Sequence, residues 1–214
     1  MNTTTRYLSA LAGDIAAAFK IPGTGVLSTS IQDMFERRLA GAREILIDEI
    51  KRGDKDVYEA HEVDEVAAIT YRYMRAAQEG TARLNLRLMA QVIAGQKSCN
   101  ALKSDDFLYY ADIISALRRE EVILLGYMYK FLKEEIAKEG TPTPAYSAQE
   151  RAKRELIPHI FATPEDFTAT IGAVMRTGLV IGQSAYGGMV YQVSPLMDKL
   201  SKLASFEDAL ARET

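Results

Sequence analysis

TPEDFTATIGAVMRTGLVIGQSAYGGMVYQVSPLMDKL, residues Thr163–Leu200, changes its periodicity twice and thereby decides the class of fold. Thr163 can accept hydrogen bonds from free backbone N–H groups, and Pro164 suits the first helical position. Apolar residues then recur at helical spacing as far as Gly178, a residue that favours a helix end. Two short runs, LVIGQS and MVYQVS, are joined by a glycine-containing link, which predicts a β-hairpin. A final Ser-Pro pair starts another helix.

The rest of the chain has helical periodicity almost throughout. Residues 5–20 predict a short helix, and the run IPGTG at 21–25 breaks it. A long helix is predicted from Glu62 to Ala94, with Gly80 inside it. We therefore expect a mainly α protein: an N-terminal helical bundle over residues 1–103, and a second part over 104–214 that carries one small hairpin. Three serines at the starts of predicted helices are predicted as their N-caps: Ser30, Ser104 and Ser147.

The C-terminal half resembles the winged helix-turn-helix superfamily. Predicted helices at 118–135, 148–159 and 164–177 would be its three helices, and 179–194 its wing. The most specific part is TGLV followed by GGMVYQVSPL. In DNA-binding members of this superfamily the third helix enters the major groove and the wing touches the backbone or minor groove. The resemblance implies nucleic-acid contacts on the third helix, the wing and the preceding helix, namely Arg151, Lys153, Arg154, Thr168, Thr170, Arg176, Gln183 and Tyr186.

The distribution of charge disfavours DNA as the partner. The formal net charge is -3 and the pI is about 5.6. Across residues 164–178 the single cation, Arg176, is opposed by Glu165 and Asp166, and the predicted wing has no Lys or Arg. Specific DNA binders neutralise roughly 6–10 phosphates, mostly with these two residue types. We therefore expect a regulatory or interaction protein whose partner is another protein or a second copy of itself, with a DNA-binding regulator as the alternative.

No sequence motif predicts catalysis, a metal site or a cofactor. His61 and Glu65 lie one helical turn apart, but a zinc site needs further ligands, and none stands out. Cys99 is the single cysteine, which fits a small side chain in a reducing compartment. We accordingly expect no enzyme, no cofactor and no small-molecule substrate.

A stripe of arginines on the predicted long helix has two interpretations. It could contact phosphates, or it could form an ion-pair face, and Glu79 among the arginines favours the second. The stripe consists of Arg72, Arg75, Arg83 and Arg87.

Membrane association has little support in the sequence. No secretory signal is visible, and no stretch approaches the roughly 20 apolar residues of a spanning helix. The apolar N-terminal arm supports a membrane-associated adaptor as a third hypothesis, although its polar side is poor in lysine. We expect a cytoplasmic protein.

Overall fold

The computed structural model describes residues 10, 13–14, 26–52, 63–98, 103–138, 140, 142–185 and 188–213. These residues are mainly helical, with one two-stranded antiparallel hairpin near the C-terminus, as predicted. The chain divides into two compact units, Met1–Ala116 and Leu117–Thr214. The boundary predicted after residue 103 stays a prediction that fragments can test.

The first unit contains four described helices: α1 (Val26–Arg52), α2 (Val63–Glu79), α3 (Arg83–Ser98) and α4 (Ser104–Ser115). Helix α1 packs on α2 and α3, and α4 packs on the same two helices. The Tyr73 hydroxyl, fully buried, donates a hydrogen bond of 2.8 Å to the Ala42 carbonyl and so ties α2 to α1. The largest fully buried side chains of this unit are Leu46, Ile69, Tyr73, Met74, Leu88, Met89, Phe107 and Ile114.

The predicted long helix from Glu62 to Ala94 is wrong, because Gly80 separates α2 from α3. Gly80 has a φ of 96°, which lies in the left-handed region that glycine adopts without steric cost. Its N–H bonds the Ala77 carbonyl, and the Thr81 N–H bonds the Ala76 carbonyl. This paired 5→2 and 6→1 arrangement is a Schellman motif, which ends a helix by satisfying its last carbonyl groups.

The predicted caps Ser30, Ser104 and Ser147 are also wrong. Ser104 is the first residue of α4, and Lys103 holds the cap position without a side-chain hydrogen bond. Helix α1 already begins at Val26, since neither proline nor glycine separates that residue from Ser30. Thr143 precedes the helix that contains Ser147, and Pro144 occupies its first position. Proline has no N–H and a helical φ, so it starts a helix more readily than it continues one.

In the second unit, three helices are followed by a hairpin and then by two short helices. The elements are α5 (Arg119–Ala137), α6 (Pro144–Leu156), α7 (Pro164–Met175), β1 (Val180–Ala185), β2 (Gly188–Val193), α8 (Pro195–Leu203) and α9 (Phe206–Arg212). Helix α5 contacts α6, α7, β2 and α9, while α7 also contacts β1. Phe161 and Phe167 meet edge to face inside this core, with ring centroids 5.6 Å apart.

The local signals between Thr163 and Ser194 act as predicted. The Thr163 hydroxyl accepts a hydrogen bond from the Asp166 backbone, and the Ser194 hydroxyl accepts bonds from the first turn of α8. Gly178 has a φ of 73° just after α7. The hairpin pairs Val180 with Val193 through to Ala185 with Gly188. These contacts fix where the hairpin leaves α7.

The N-terminal arm falls, except for residues 10, 13 and 14, outside the described residues, and so do the predicted helix and break at 5–25. Within the described ranges no helix is both long and apolar enough to cross a membrane.

Candidate interaction surface

The hairpin and the end of α7 expose a cluster of methionine side chains. Directly opposed residues of an antiparallel pair lie on one face, so Ser184 and Met189 share a face with Gly182 and Tyr191. A Cβ atom built on Gly182 would lie 2.7 Å from Met189 Cε and 3.4 Å from Met175 Cε and Tyr191 Cε1. These three side chains therefore converge over Gly182, which leaves room for them. We call this cluster, Met175, Gly182, Ser184, Met189 and Tyr191, the methionine face.

The methionine face is open to solvent although it is largely apolar. Met175 is 38% exposed and Met189 is 48% exposed. Methionine is unbranched and polarizable, so it adapts to differently shaped partners at contact surfaces. An exposed apolar cluster of this kind is typical of a surface that meets another protein.

The two edges of the hairpin differ in what covers them. The Tyr191 N–H points away from β1 and donates a 2.8 Å hydrogen bond to Oε1 of Gln149 on α6. In an antiparallel pair, two opposed residues either bond each other or both direct their N–H and C=O groups outward. Gly182 is opposed to Tyr191, so the backbone groups of Gly182 also point outward, away from β2. Ser184, two residues on, points the same way. No further described strand pairs with β1, so its outer edge offers backbone donors and acceptors.

Arg176, a predicted DNA contact, instead pairs with a buried carboxylate. Its Nη1 lies 2.5 Å from Glu121 Oε1, and its Nη2 lies 3.0 Å from Glu121 Oε2. Glu121 is 2% exposed, while the arginine side chain is 46% exposed. Burial raises the pKa of Glu121, but the hydrogen bonds from Arg176 and from the Arg118 backbone outweigh it, so the pKa lies below its ordinary value. The pair joins the end of α7 to the start of α5.

Arg151, a second predicted contact, is also used inside the unit. Its Nη1 lies 2.7 Å from Glu135, its Nη2 lies 2.6 Å from Glu134, and its guanidinium stacks 4.2 Å from the centroid of the Phe131 ring. The hydrogen bonds from Lys138 and Arg151 lower the pKa of Glu135. Arg151 therefore holds α6 against α5.

The remaining predicted contacts provide little positive charge. Lys153 and Arg154 on α6 form no ion pair with the described residues. The Thr168 and Thr170 hydroxyls donate to carbonyl groups of their own helix, each at 2.9 Å. Gln183 lies on β1, on the face opposite the methionine face. Tyr186 lies outside the described residues. Of the predicted set, Arg151 and Arg176 are thus directed to carboxylates inside the unit and not to a ligand.

The arginine stripe is mostly an ion-pair face, which is the interpretation that the sequence favoured over phosphate contact. Arg72 binds Asp112 at 2.8 Å, and Arg75 binds Glu79 at 2.8 Å. Arg87, which is buried, binds Glu49 at 2.8 Å. Arg83 lines a pocket beside α1.

Metal-binding clusters are absent from the described ranges, where no three His, Cys, Asp or Glu side chains could hold an ion together. His61 and Cys99 lie outside those ranges. Glu65, considered with His61 as a ligand pair, accepts a hydrogen bond from the Ser104 backbone, and hydrogen bonding by Ser104 lowers its pKa.

Sequence and structure comparisons add no relative. No family model, curated protein or solved structure matches this chain.

Proposed function

We propose that this chain is a non-enzymatic interaction protein in which residues 117–214 form a winged-helix-like module for protein contacts. The observation that carries the proposal is the methionine face beside the outer edge of β1, on a hairpin whose described residues include no Lys or Arg. A module that read DNA through this surface would need cations there. An apolar face with an open strand edge suits a polypeptide partner.

The occupant that we propose for this surface is a second copy of the chain. A two-fold contact brings each surface against itself, so charged side chains near the axis would repel their own copies. The methionine face and the described part of β1 carry no charged side chain and avoid this repulsion. Glu165 and Asp166 lie at the far end of α7, about 14 Å from Met175 along the helix. Pairing β1 with its own copy would also satisfy the outward backbone groups of both strands.

Sedimentation equilibrium of the full chain tests this proposal. The wild-type protein should form a dimer. Met189→Asp, which puts a charge on the methionine face, should shift it to monomer, and so should Ser184→Pro, which removes an outward N–H. Ile136→Asp is the matched control, since Ile136 is 60% exposed on α5; it should leave the dimer intact. Far-UV circular dichroism verifies that each variant folds.

Two results would overturn the proposal. A wild-type protein that stays monomeric at about 100 μM would rule out the second copy as occupant. A dimer that is indifferent to both surface variants would rule out the hairpin surface.

A DNA-binding regulator is the second candidate, because Lys153 and Arg154 lack ion-pair partners among the described residues. Two such cations per chain fall well short of roughly 6–10 neutralised phosphates, even after dimerisation. If DNA is the ligand, the protein should bind duplex from upstream of its own gene in a salt-sensitive way, and Arg154→Ala should weaken the complex. A lack of binding at about 50 mM salt, where phosphate contacts are strong, would eliminate this candidate.

A further inference from the structure

The first unit contains a pocket of about 270 Å³ between α1 and the turn that joins α2 to α3. Three arginines line it: Arg37 and Arg38, which lie on α1, and Arg83, which is the first residue of α3. No carboxylate is among the described side chains that line it. The floor is apolar, because the buried side chains of Ala42, Ile45 and Leu86 form it.

The two arginines of α1 are each anchored by one backbone carbonyl. Arg37 Nε donates to the Asp33 carbonyl at 3.2 Å, and Arg38 Nη1 donates to the Gln78 carbonyl at 3.1 Å. A guanidinium has five N–H donors, so each of these side chains retains further donors. Neither forms an ion pair with a described acidic side chain. Their positive charge is therefore oriented by the protein without being neutralised by it.

Nearby backbone features keep the pocket open and positive. A Cβ atom on Gly41 would lie 3.5 Å from Arg83 Nη1, and one on Gly80 would lie 3.1 Å from Arg38 Nη1. Glycine at position 80 therefore leaves space for the Arg38 guanidinium, whereas the distance at Gly41 is an ordinary van der Waals contact. The first turn of α3 contains no acidic residue, so the positive end of its helix dipole adds to the charge of the arginines.

We propose that this pocket binds a small phosphorylated organic molecule, with its phosphate among Arg37, Arg38 and Arg83 and its apolar part on the floor. A phosphate monoester carries close to two negative charges and three acceptor oxygens, which matches several guanidinium donors better than a single carboxylate does. The volume lies just below the usual range of about 300–1,000 Å³ for ligand pockets, so the ligand is a short chain or one ring rather than a dinucleotide. This site is independent of the proposed dimer surface.

Isothermal titration of the full chain with three probes tests the assignment. Phenyl phosphate combines both features, inorganic phosphate lacks the apolar part, and benzoate replaces phosphate by carboxylate. Phenyl phosphate should bind most tightly. Arg37→Gln and Arg83→Gln should each weaken it about tenfold or more, since each removes a charged hydrogen bond. Arg52→Gln, on an exposed arginine at the other end of α1, is the matched control and should leave the affinity unchanged.

Three results would overturn the assignment. A lack of saturable binding of phenyl phosphate up to about 10 mM, well above the range of a useful ligand site, would remove the site. Equal losses in the Arg37, Arg83 and Arg52 variants would assign the binding to general surface charge. Equal affinity for benzoate and phenyl phosphate would exclude phosphate as the recognised group.

Discussion

Glu121 links the start of α5 to the end of α7 through a buried carboxylate. Its carboxylate accepts hydrogen bonds from Nη1 and Nη2 of Arg176. It also accepts a 2.8 Å hydrogen bond from the backbone N–H of Arg118 at the start of α5. Glutamine keeps the shape and the capping acceptor but removes the charge. We expect Glu121→Gln to lower the free energy of unfolding by about 1–3 kcal/mol at pH 7. The half-exposed Arg176 can rehydrate, which holds the loss below that of a fully buried pair.

The same pair predicts how acid acts on stability. In the folded protein the pKa of Glu121 lies below its ordinary value of 4.5. The ionised carboxylate therefore stabilises the fold above pH 4.5, and this stabilisation is lost as the pH falls through the folded pKa. The difference in the free energy of unfolding between wild type and Glu121→Gln should therefore become smaller in acid. Urea unfolding at pH 7 and pH 3 measures it, with Glu155→Gln on the exposed side of α6 as the control. A gap that is equally wide at pH 3 would contradict the assignment.

The two arginine pairs explain why the predicted contacts could not be judged from sequence. Arg176 and Glu121 are 55 positions apart, and Arg151 reaches back 16 and 17 positions to Glu135 and Glu134. Sequence identifies the number of charges on each helix, but pairing across such distances depends on how α5, α6 and α7 pack. That residues 179–194 contain no Lys or Arg can be read from the sequence, whereas the internal use of the two arginines cannot. The pocket escapes prediction for the same reason, since Arg83 meets Arg37 and Arg38 only after folding.

At the scale of the element, correct prediction depends on how local the deciding signal is. The start of α7 at Pro164, its end before Gly178 and the hairpin all rest on signals within a few residues, and all are predictable. The end of α2 is different. Apolar residues continue at helical spacing on both sides of Gly80, so periodicity alone favours one long helix. The turn at Gly80 lets α2 and α3 both pack against α1, and periodicity carries no information about such tertiary contacts.

Gly80 and Gly172 offer a paired test of this turn. Alanine at Gly80 would have to adopt a φ of 96°, and its Cβ would lie 3.1 Å from Arg38 Nη1. We expect Gly80→Ala to destabilise the protein by about 1–2 kcal/mol. Gly172 lies in the exposed part of α7, and a Cβ atom added there would meet nothing within 4 Å. Gly172→Ala should stabilise by about 0.5–1 kcal/mol, since alanine is the better helix former.

Chemical denaturation of both glycine variants gives the required free energies. Opposite signs support a left-handed turn at residue 80 and a regular helix at residue 172. If Gly80→Ala were as stable as wild type, the continuous helix predicted from the sequence would be the better description.

At the scale of the whole molecule, α4 shows where the chain can be divided. Its residues Phe107 and Ile114 are fully buried, and α4 packs on α2 and α3. Asp112 of α4 pairs with Arg72, and the Ile114 carbonyl accepts a 2.6 Å hydrogen bond from Asn85. The predicted boundary after residue 103 would separate α4 from these partners. The second unit keeps its Arg176–Glu121 and Arg151–Glu135 pairs within residues 117–214.

Two fragments therefore should behave differently. Residues 117–214, about 100 in number, include their own core and ion pairs, and a chain of this length can bury enough surface to fold alone. We expect this fragment to unfold cooperatively by circular dichroism. A fragment of residues 104–214 carries the apolar face of α4 without α2 and α3, so it should expose that face and bind a hydrophobic dye more strongly. Equal dye binding, or a cooperative transition only in the longer fragment, would instead support the boundary after residue 103, because α4 would then belong to the C-terminal unit.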